Sequence, residues 1–300
     1  MIATVDFSIE TAALGRRFGR KDALRDLTLR VPCGGVHALL GRNGAGKTTL
    51  LRILLGFDHP TRGSSRVLGL DSQTLSPEAR GRIAYVNEEH GLPPWMTVAG
   101  LRDLSQSTYP RWSEKTYREV ADLFRLSPAQ RVSRLSHGEQ AGLALALALA
   151  QSPDLLLLDE PTLGLDAVAK QAFVEALLFV GDRDSTTVIY SSHQMDEIER
   201  VADNLIILVD GALAAFATPD EFQARVSAWI VDEMPKGRVV PGLLQSRDLE
   251  GQTQLVVLDQ GDGFAGRLET HGARGVARAP LGFDRAVNAF LAAGGKGASA

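Results

Sequence analysis

Apolar residues fall along this chain in short runs of strand length, separated by stretches whose apolar positions recur at helical spacing. Over the first ~220 residues that alternation predicts an α/β protein built on a parallel sheet. Strands are expected at residues 36–40, 82–86, 155–158, 187–190 and 205–209. A helix is expected over residues 48–55, directly after a glycine-rich turn, and Asp210-Gly211 reads as a tight hairpin turn. Between Pro93 and Pro153 the texture becomes mostly helical. Ser113 is placed to cap a helix on which Tyr117, Val120, Ala121 and Phe124 share a face. The pattern therefore predicts a core unit over residues 1–225, with a helical subdomain at about residues 90–152 inserted between two of its strands.

After about Glu221 the texture changes again, toward glycine and short strand-like stretches such as residues 253–258. Near the end, Phe283, Ala286, Val287 and Phe290 line one face of a short helix that should stop at Gly294-Gly295. Residues 226–300 are thus expected to form a small strand-containing accessory domain, with a disordered end beyond about residue 293. No internal repeat is evident.

Composition narrows the function classes. The chain has 300 residues, 44 % hydrophobic and 23 % charged, with a formal net charge of −4. That balance argues against a nucleic-acid partner held by bulk electrostatics, and none is expected. The single cysteine, Cys33, excludes an intramolecular disulfide and suits a reducing cytoplasm. It lies in the turn Val31-Pro32-Cys33-Gly34-Gly35 with no histidine or second cysteine nearby in sequence, so no chemical role is assigned to it. No apolar run approaches the ~20 residues that span a bilayer. The N-terminal residues carry Asp6 and Glu10 and lack the basic start of a signal peptide. Any link to a membrane is expected to run through a partner.

Two motifs carry chemistry. Gly41-Arg42-Asn43-Gly44-Ala45-Gly46-Lys47-Thr48 fits the phosphate-binding loop. Its glycines let successive N–H groups face inward, and the helix that follows presents its positive end. Lys47 is expected to reach the β- and γ-phosphates of ATP, and the Thr48 hydroxyl to ligate Mg²⁺. The second motif is the run Leu155-Leu156-Leu157-Leu158 closed by Asp159-Glu160. A buried strand delivers two acids there, Asp159 near Mg²⁺ and Glu160 as the general base that polarises the attacking water.

In order and spacing these motifs resemble the nucleotide-binding subunits of ABC transporters, over residues 11–221. The likeness is nearest to ATPases serving bacterial ABC-2-type exporters. Gly41 to Thr48, with Thr49 beside it, resembles Walker A, and Leu155 to Glu160 resembles Walker B. Pro161-Thr162-Leu163-Gly164-Leu165-Asp166 matches the D-loop, and Ser191-Ser192-His193 matches the switch histidine. Leu135-Ser136-His137-Gly138-Glu139-Gln140 stands where the signature belongs. Phe18 stands where the family places a ring against adenine. The resemblance implies an ABC-type P-loop NTPase fold, ATP and Mg²⁺ as cofactors, and ATP hydrolysis by Glu160 and His193 with Lys47. It also implies a homodimer or heterodimer of ATPase subunits in which Ser136, His137, Gly138 and Glu139 contact the partner's nucleotide. An integral membrane permease would be the further partner, with this chain peripheral on the inner face of the cell membrane. Asp166 could equally be a helix cap, with or without a contact across the dimer. A single phosphate loop and no heptad run stand against a soluble relative acting on ribosomes or DNA. A regulatory module that hardly hydrolyses ATP is the other alternative.

Two motifs depart from the family pattern. The signature reads Leu-Ser-His-Gly-Glu instead of Leu-Ser-Gly-Gly-Gln, and Glu88 stands where a glutamine usually touches Mg²⁺ and water. Glu88 keeps an oxygen ligand for Mg²⁺ but adds charge. Ser136-x-x-Glu139 also fits a capping box worth about 1 kcal/mol. A carboxylate ~5 Å from phosphate would cost roughly 3 kcal/mol at an effective dielectric of about 20. That repulsion exceeds the cap unless Glu139 points away or His137 is protonated, and the two departures together are expected to weaken nucleotide-driven closure or to slow turnover without the partner. Finally, Trp95 and Met96 are read as exposed apolar residues where the family grips its membrane subunit.

Overall fold

The computed structural model describes residues 6–181, 186–234, 240–249, 251–261 and 263–295. The chain opens with an antiparallel hairpin, β1 (Phe7–Phe18) and β2 (Lys21–Pro32). β3 (Val36–Leu40) then runs into α1 (Lys47–Leu54), and β4 (Arg62–Val67) and β5 (Leu70–Asp71) return beside β1 in the order β2-β1-β4-β5. This antiparallel sheet did not show in the hydrophobic pattern. Register shifts at Thr11/Leu14 and Leu14/Arg16, with Ala13 and Asp26 at φ 46° and 45°, move the buried positions out of strict alternation.

The short α2 (Pro77–Arg80) leads to β6 (Ile83–Val86), and three helices follow: α3 (Val98–Thr108), α4 (Glu114–Leu123) and α5 (His137–Ala150). Ser113 caps α4 by accepting from the Thr116 N–H, and Tyr117, Val120, Ala121 and Phe124 are buried. The chain then alternates: β7 (Leu155–Asp159), α6 (Ala167–Gly181), β8 (Thr187–Ser191), α7 (Met195–Val201), β9 (Asn204–Val209) and β10 (Ala212–Ala217). The central sheet has the order β10-β9-β3-β8-β7-β6, parallel except for β10. Asp210 and Gly211 turn between β9 and β10 at φ 48° and 82°, which is the hairpin the sequence announces.

Both faces of this sheet are covered, which explains why its strands read as unbroken apolar runs. Leu156, Leu158, Val188, Tyr190, Leu205 and Ile207 face the helical side with α5, α6 and α7. Leu155, Leu157, Ile189, Ile206 and Leu208 face α1 and the antiparallel sheet. The C-terminal ends of β3, β7 and β8 therefore open side by side, where ligands collect in α/β sheets.

The remainder adds α8 (Pro219–Arg225), β11 (Val226–Val231), β12 (Leu243–Leu249), β13 (Gln252–Leu258), α9 (Phe264–Thr270), β14 (Ala277–Ala279) and α10 (Phe283–Ala292). Its antiparallel sheet has the order β12-β13-β11-β14. On one face Trp229, Val231, Leu255 and Val257 pack with Phe264 and Leu268 of α9. On the other, Val226, Ala228, Val256 and Leu258 meet Phe283, Val287 and Phe290 of α10, in a cluster continuous with Ile198, Val201 and Phe222. α10 is thus a shared wall between this sheet and the helix that follows β8. The expectation of a disordered end beyond about residue 293 falls mostly on residues 296–300, which lie outside the described residues.

Candidate functional site

Residues 42–49 wrap the mouth of a cleft of about 820 Å³, also lined by Phe18, Lys21, Ala23, Glu88, Glu160, Leu163 and His193. The loop curls because Gly44 and Gly46 adopt φ 84° and 103°. At Gly46 a Cβ would lie 2.5 Å from the Ala23 carbonyl, so only glycine lets the loop pass the end of the hairpin. α1 starts at Lys47, with its first N–H groups at the cleft.

Charge runs through the cleft as one chain of contacts. Lys47 is 8 % exposed; its Nζ donates to the Gly41 carbonyl at 2.7 Å and lies 3.5 Å from Glu160 Oε1. The other carboxylate oxygen, Oε2, accepts from His193 Nδ1 at 2.8 Å. In the neutral ring, Nε2 is then an acceptor for the Gln194 side-chain amide at 3.2 Å, and Gln194 Oε1 accepts from Lys170 at 3.0 Å. Glu160 sits at φ 51°, a left-handed conformation that costs an L-residue roughly 1–2 kcal/mol. Its N–H is held by the Ser191 carbonyl at 3.0 Å. The strain points the carboxylate off the strand end and between Lys47 and His193.

Asp159, the last residue of β7, is 6 % exposed, and its Oδ1 has no hydrogen-bond partner among the described residues. Burial pushes its carboxyl above the ordinary aspartate range; the Thr48 hydroxyl and Lys47 oppose that shift and Glu160 adds to it. An unpaired buried oxygen beside a hydroxyl is a donor set that suits a small hard cation such as Mg²⁺. Glu88 is exposed and borders the same cleft. Phe18, at the end of β1, is 46 % exposed to the cleft, with the Arg16 guanidinium 4.3 Å from its ring centroid.

Ser136, His137, Gly138, Glu139 and Asp166 do not line this cleft. At the start of α5 the capping box is complete: Ser136 N–H donates to Glu139 Oε2 at 2.7 Å, and Glu139 N–H donates to Ser136 Oγ at 3.2 Å. The Glu139 carboxylate is therefore already occupied in its own chain. A Cβ at Gly138 would lie 2.7 Å from the Ala169 Cβ, so this glycine lets α5 approach α6. Asp166 caps α6 by accepting from the Ala169 N–H at 2.9 Å. Trp95 is 72 % exposed, whereas Met96 packs against the helical core, so the pair does not form one exposed apolar patch. Cys33 is exposed at the turn after β2.

Residues 24–163 match the family model described as ABC transporter. The molybdenum import ATP-binding protein of Paramagnetospirillum magneticum is 32 % identical over 255 residues, 81 % of this chain and 70 % of that protein. The chain belongs to the ABC transporter ATP-binding family. A sulfate/thiosulfate import ATP-binding protein of Brucella melitensis is 33 % identical over 71 % of this chain. The chain spans 62 % of that relative's length. A solved ATP-binding subunit of an ABC transporter superposes with a TM-score of 0.65 at 27 % identity, covering 72 % of this chain and 92 % of its own. The ABC fold accounts for the antiparallel sheet beside the parallel one, and it leaves residues beyond the matched share to the C-terminal sheet and α10.

Two residues of the site were not foreseen from the sequence. Glu197, on α7, is 4 % exposed and accepts on Oε2 from Thr162 at 2.9 Å, Ser192 at 3.5 Å and the Tyr190 hydroxyl in a short contact. It ties the turn after Glu160 to the loop that carries His193. Burial and the neighbouring Glu197 push the Tyr190 phenol well above its usual range. The available signal was an acid between Met195 and Ile198 on a helix face that is otherwise apolar. The second is His90, which is buried and reaches the Pro161 carbonyl in the same turn. α10 also borders the site: Asn288 and Leu291 line a smaller cleft of about 280 Å³ with Gly41, Arg42, Asn43 and His193.

Proposed function

We propose that this chain binds ATP with Mg²⁺, hydrolyses it, and powers a separate membrane permease of an ABC transporter. The observation that carries the reading is the Lys47–Glu160–His193 chain beside the unpaired Asp159 oxygen. Lys47 now divides its charge between the Gly41 carbonyl and Glu160; a γ-phosphate in the cleft would draw it away from Glu160. Glu160 then stands as general base for water, oriented by the Nδ1–H of His193. Thr48 and Asp159, with Glu88 at the rim, would hold Mg²⁺, which neutralises phosphate charge. Phe18, backed by Arg16, offers its open face to adenine.

The cleft lacks the signature residues of its own chain, which supports a dimer in which Ser136, His137, Gly138 and Glu139 come from a second subunit. Glu139, bound in its cap, adds little repulsion to that contact; Glu88 is the acid that weakens closure. Among the described residues no helix is long and apolar enough to cross a membrane. Exposed Trp95 supports a permease docked beside the helical subdomain, with this chain peripheral on the inner face of the membrane. Phosphate release from ATP in Mg²⁺ tests the reading. The wild-type chain should turn over, while Glu160→Gln should bind ATP and release no more than about a hundredth as much phosphate. A wild-type chain that binds ATP without releasing phosphate would overturn hydrolysis and leave the regulatory alternative.

A further inference from the structure

Two histidines outside the hydrolytic chain meet beneath the turn that follows Glu160. His90, on the loop after β6, is 6 % exposed, and its Nε2 lies 3.0 Å from the Pro161 carbonyl oxygen. His137 is the first residue of α5, and its Nε2 lies 3.1 Å from the Leu163 carbonyl oxygen. The ring centroids are 4.9 Å apart at a tilt of 54°. A carbonyl oxygen only accepts, so both Nε2 atoms must carry hydrogen, which sets the tautomer of each neutral ring. Two donors from two separate elements thus grip alternate carbonyls of one turn.

The backbone around them is held where it would not rest alone. His90 adopts φ 57°, a left-handed conformation disfavoured for an L-residue, and its buried Nδ1 has no hydrogen-bond partner among the described residues. Gly164 adopts φ 76°, and a Cβ there would come to 3.6 Å from the His137 ring. The Leu163 N–H donates to the Glu160 carbonyl at 3.1 Å, so the gripped turn is one hydrogen bond from the proposed base.

We propose that His90 and His137 form a clasp that fixes the turn after Glu160 to the N-terminus of α5, making the general base's loop and the signature segment move as one body. Both are positioning residues, and the kinetic arm of the test rests on the hydrolysis proposed above. His137 in place of the family's usual glycine then supplies a tie that glycine cannot make, instead of a charge aimed at the partner's phosphate.

The test uses the full chain with His137→Leu, His90→Leu and His137→Gln, whose amide can place a donor near the position of Nε2. Amide hydrogen exchange at Leu163 and Leu165 should quicken about tenfold in His137→Leu, as expected when one net hydrogen bond is lost. Its kcat for ATP should fall about tenfold with KM within about twofold, and His137→Gln should restore both readouts to within about threefold of wild type. His90→Leu should reproduce the loss, and the double variant should lose less than the product of the single losses. Should His90→Leu not fold, the His137 pair decides alone. Unchanged exchange in His137→Leu, a loss confined to KM, or a His137→Gln variant no better than His137→Leu would overturn the clasp. A wild-type chain without turnover would remove the hydrolytic reading, and the exchange data would still decide the clasp.

Discussion

The loop before α1 and the loop before α5 both end at a helix N-terminus, but they are held in different ways. Around Lys47 the fixing groups are mostly buried: Lys47 is 8 % exposed and Asp159 6 %, and the contacts run from the Gly41 carbonyl through Lys47 and Glu160 to the exposed His193. Around Ser136 they are local and exposed: a capping box within four residues, and one imidazole reaching the Leu163 carbonyl. Buried charges at the C-terminal ends of the central strands are strongly coupled, so substitution in the first loop should disturb chemistry directly. The second loop stabilises itself through its own capping box.

The largest difference between the two loops should appear in turnover. Lys47→Ala removes the charge that faces phosphate and Glu160→Gln removes the base; each should lower ATP turnover by about 10²–10³. Glu139→Gln should leave it within about twofold, because a glutamine amide oxygen still accepts from the Ser136 N–H. A tenfold rise in Glu139→Gln would mean that its carboxylate, not that of Glu88, is the repulsive one. Glu88→Gln should raise turnover severalfold, since the Glu88 carboxylate is exposed at the rim of the cleft.

Stability should separate the loops next. The Asp159 carboxyl is pushed above the usual value by burial, so the folded chain binds that proton more tightly than the unfolded one. Its stabilising contribution is present below the ordinary aspartate value and is lost as pH rises through the raised one. Asp159→Asn should therefore raise the Tm of the metal-free chain at neutral pH, and the advantage should vanish on acidification. A constant Tm gap across that range would contradict the burial argument. Ser136→Ala removes one cap and should cost about 1 kcal/mol, or roughly 2–4 °C in Tm. A larger loss would mean that Ser136 supports more than its own helix.

What could be seen in the sequence divides along the same line as the loops. Contacts made within a few residues were legible: the Gly41–Thr48 loop, the Ser136/Glu139 box, the Ser113 cap and the apolar face of α10. Unbroken apolar runs disclosed the central strands because both faces of that sheet are buried. β1 and β2 were missed because bulges at Ala13 and Asp26 break the alternation that announces a half-buried strand. Glu197 and His90 were missed because their partners, Thr162 and Pro161, lie 35 and 71 residues away in sequence. The C-terminal helix was visible as a helix, but its packing against α7 was not, because an apolar stripe does not name what covers it.

In the proposed dimer the buried loop of one subunit is completed by the exposed loop of another. Mass measurement of Glu160→Gln in solution, with and without ATP, tests it most directly when repeated with Ser136→Arg added. Glu160→Gln should be a dimer only with ATP, and a monomer under both conditions once Ser136→Arg blocks the signature. A Glu160→Gln chain that binds ATP and stays monomeric, or an ATP-dependent dimer that survives Ser136→Arg, would contradict it.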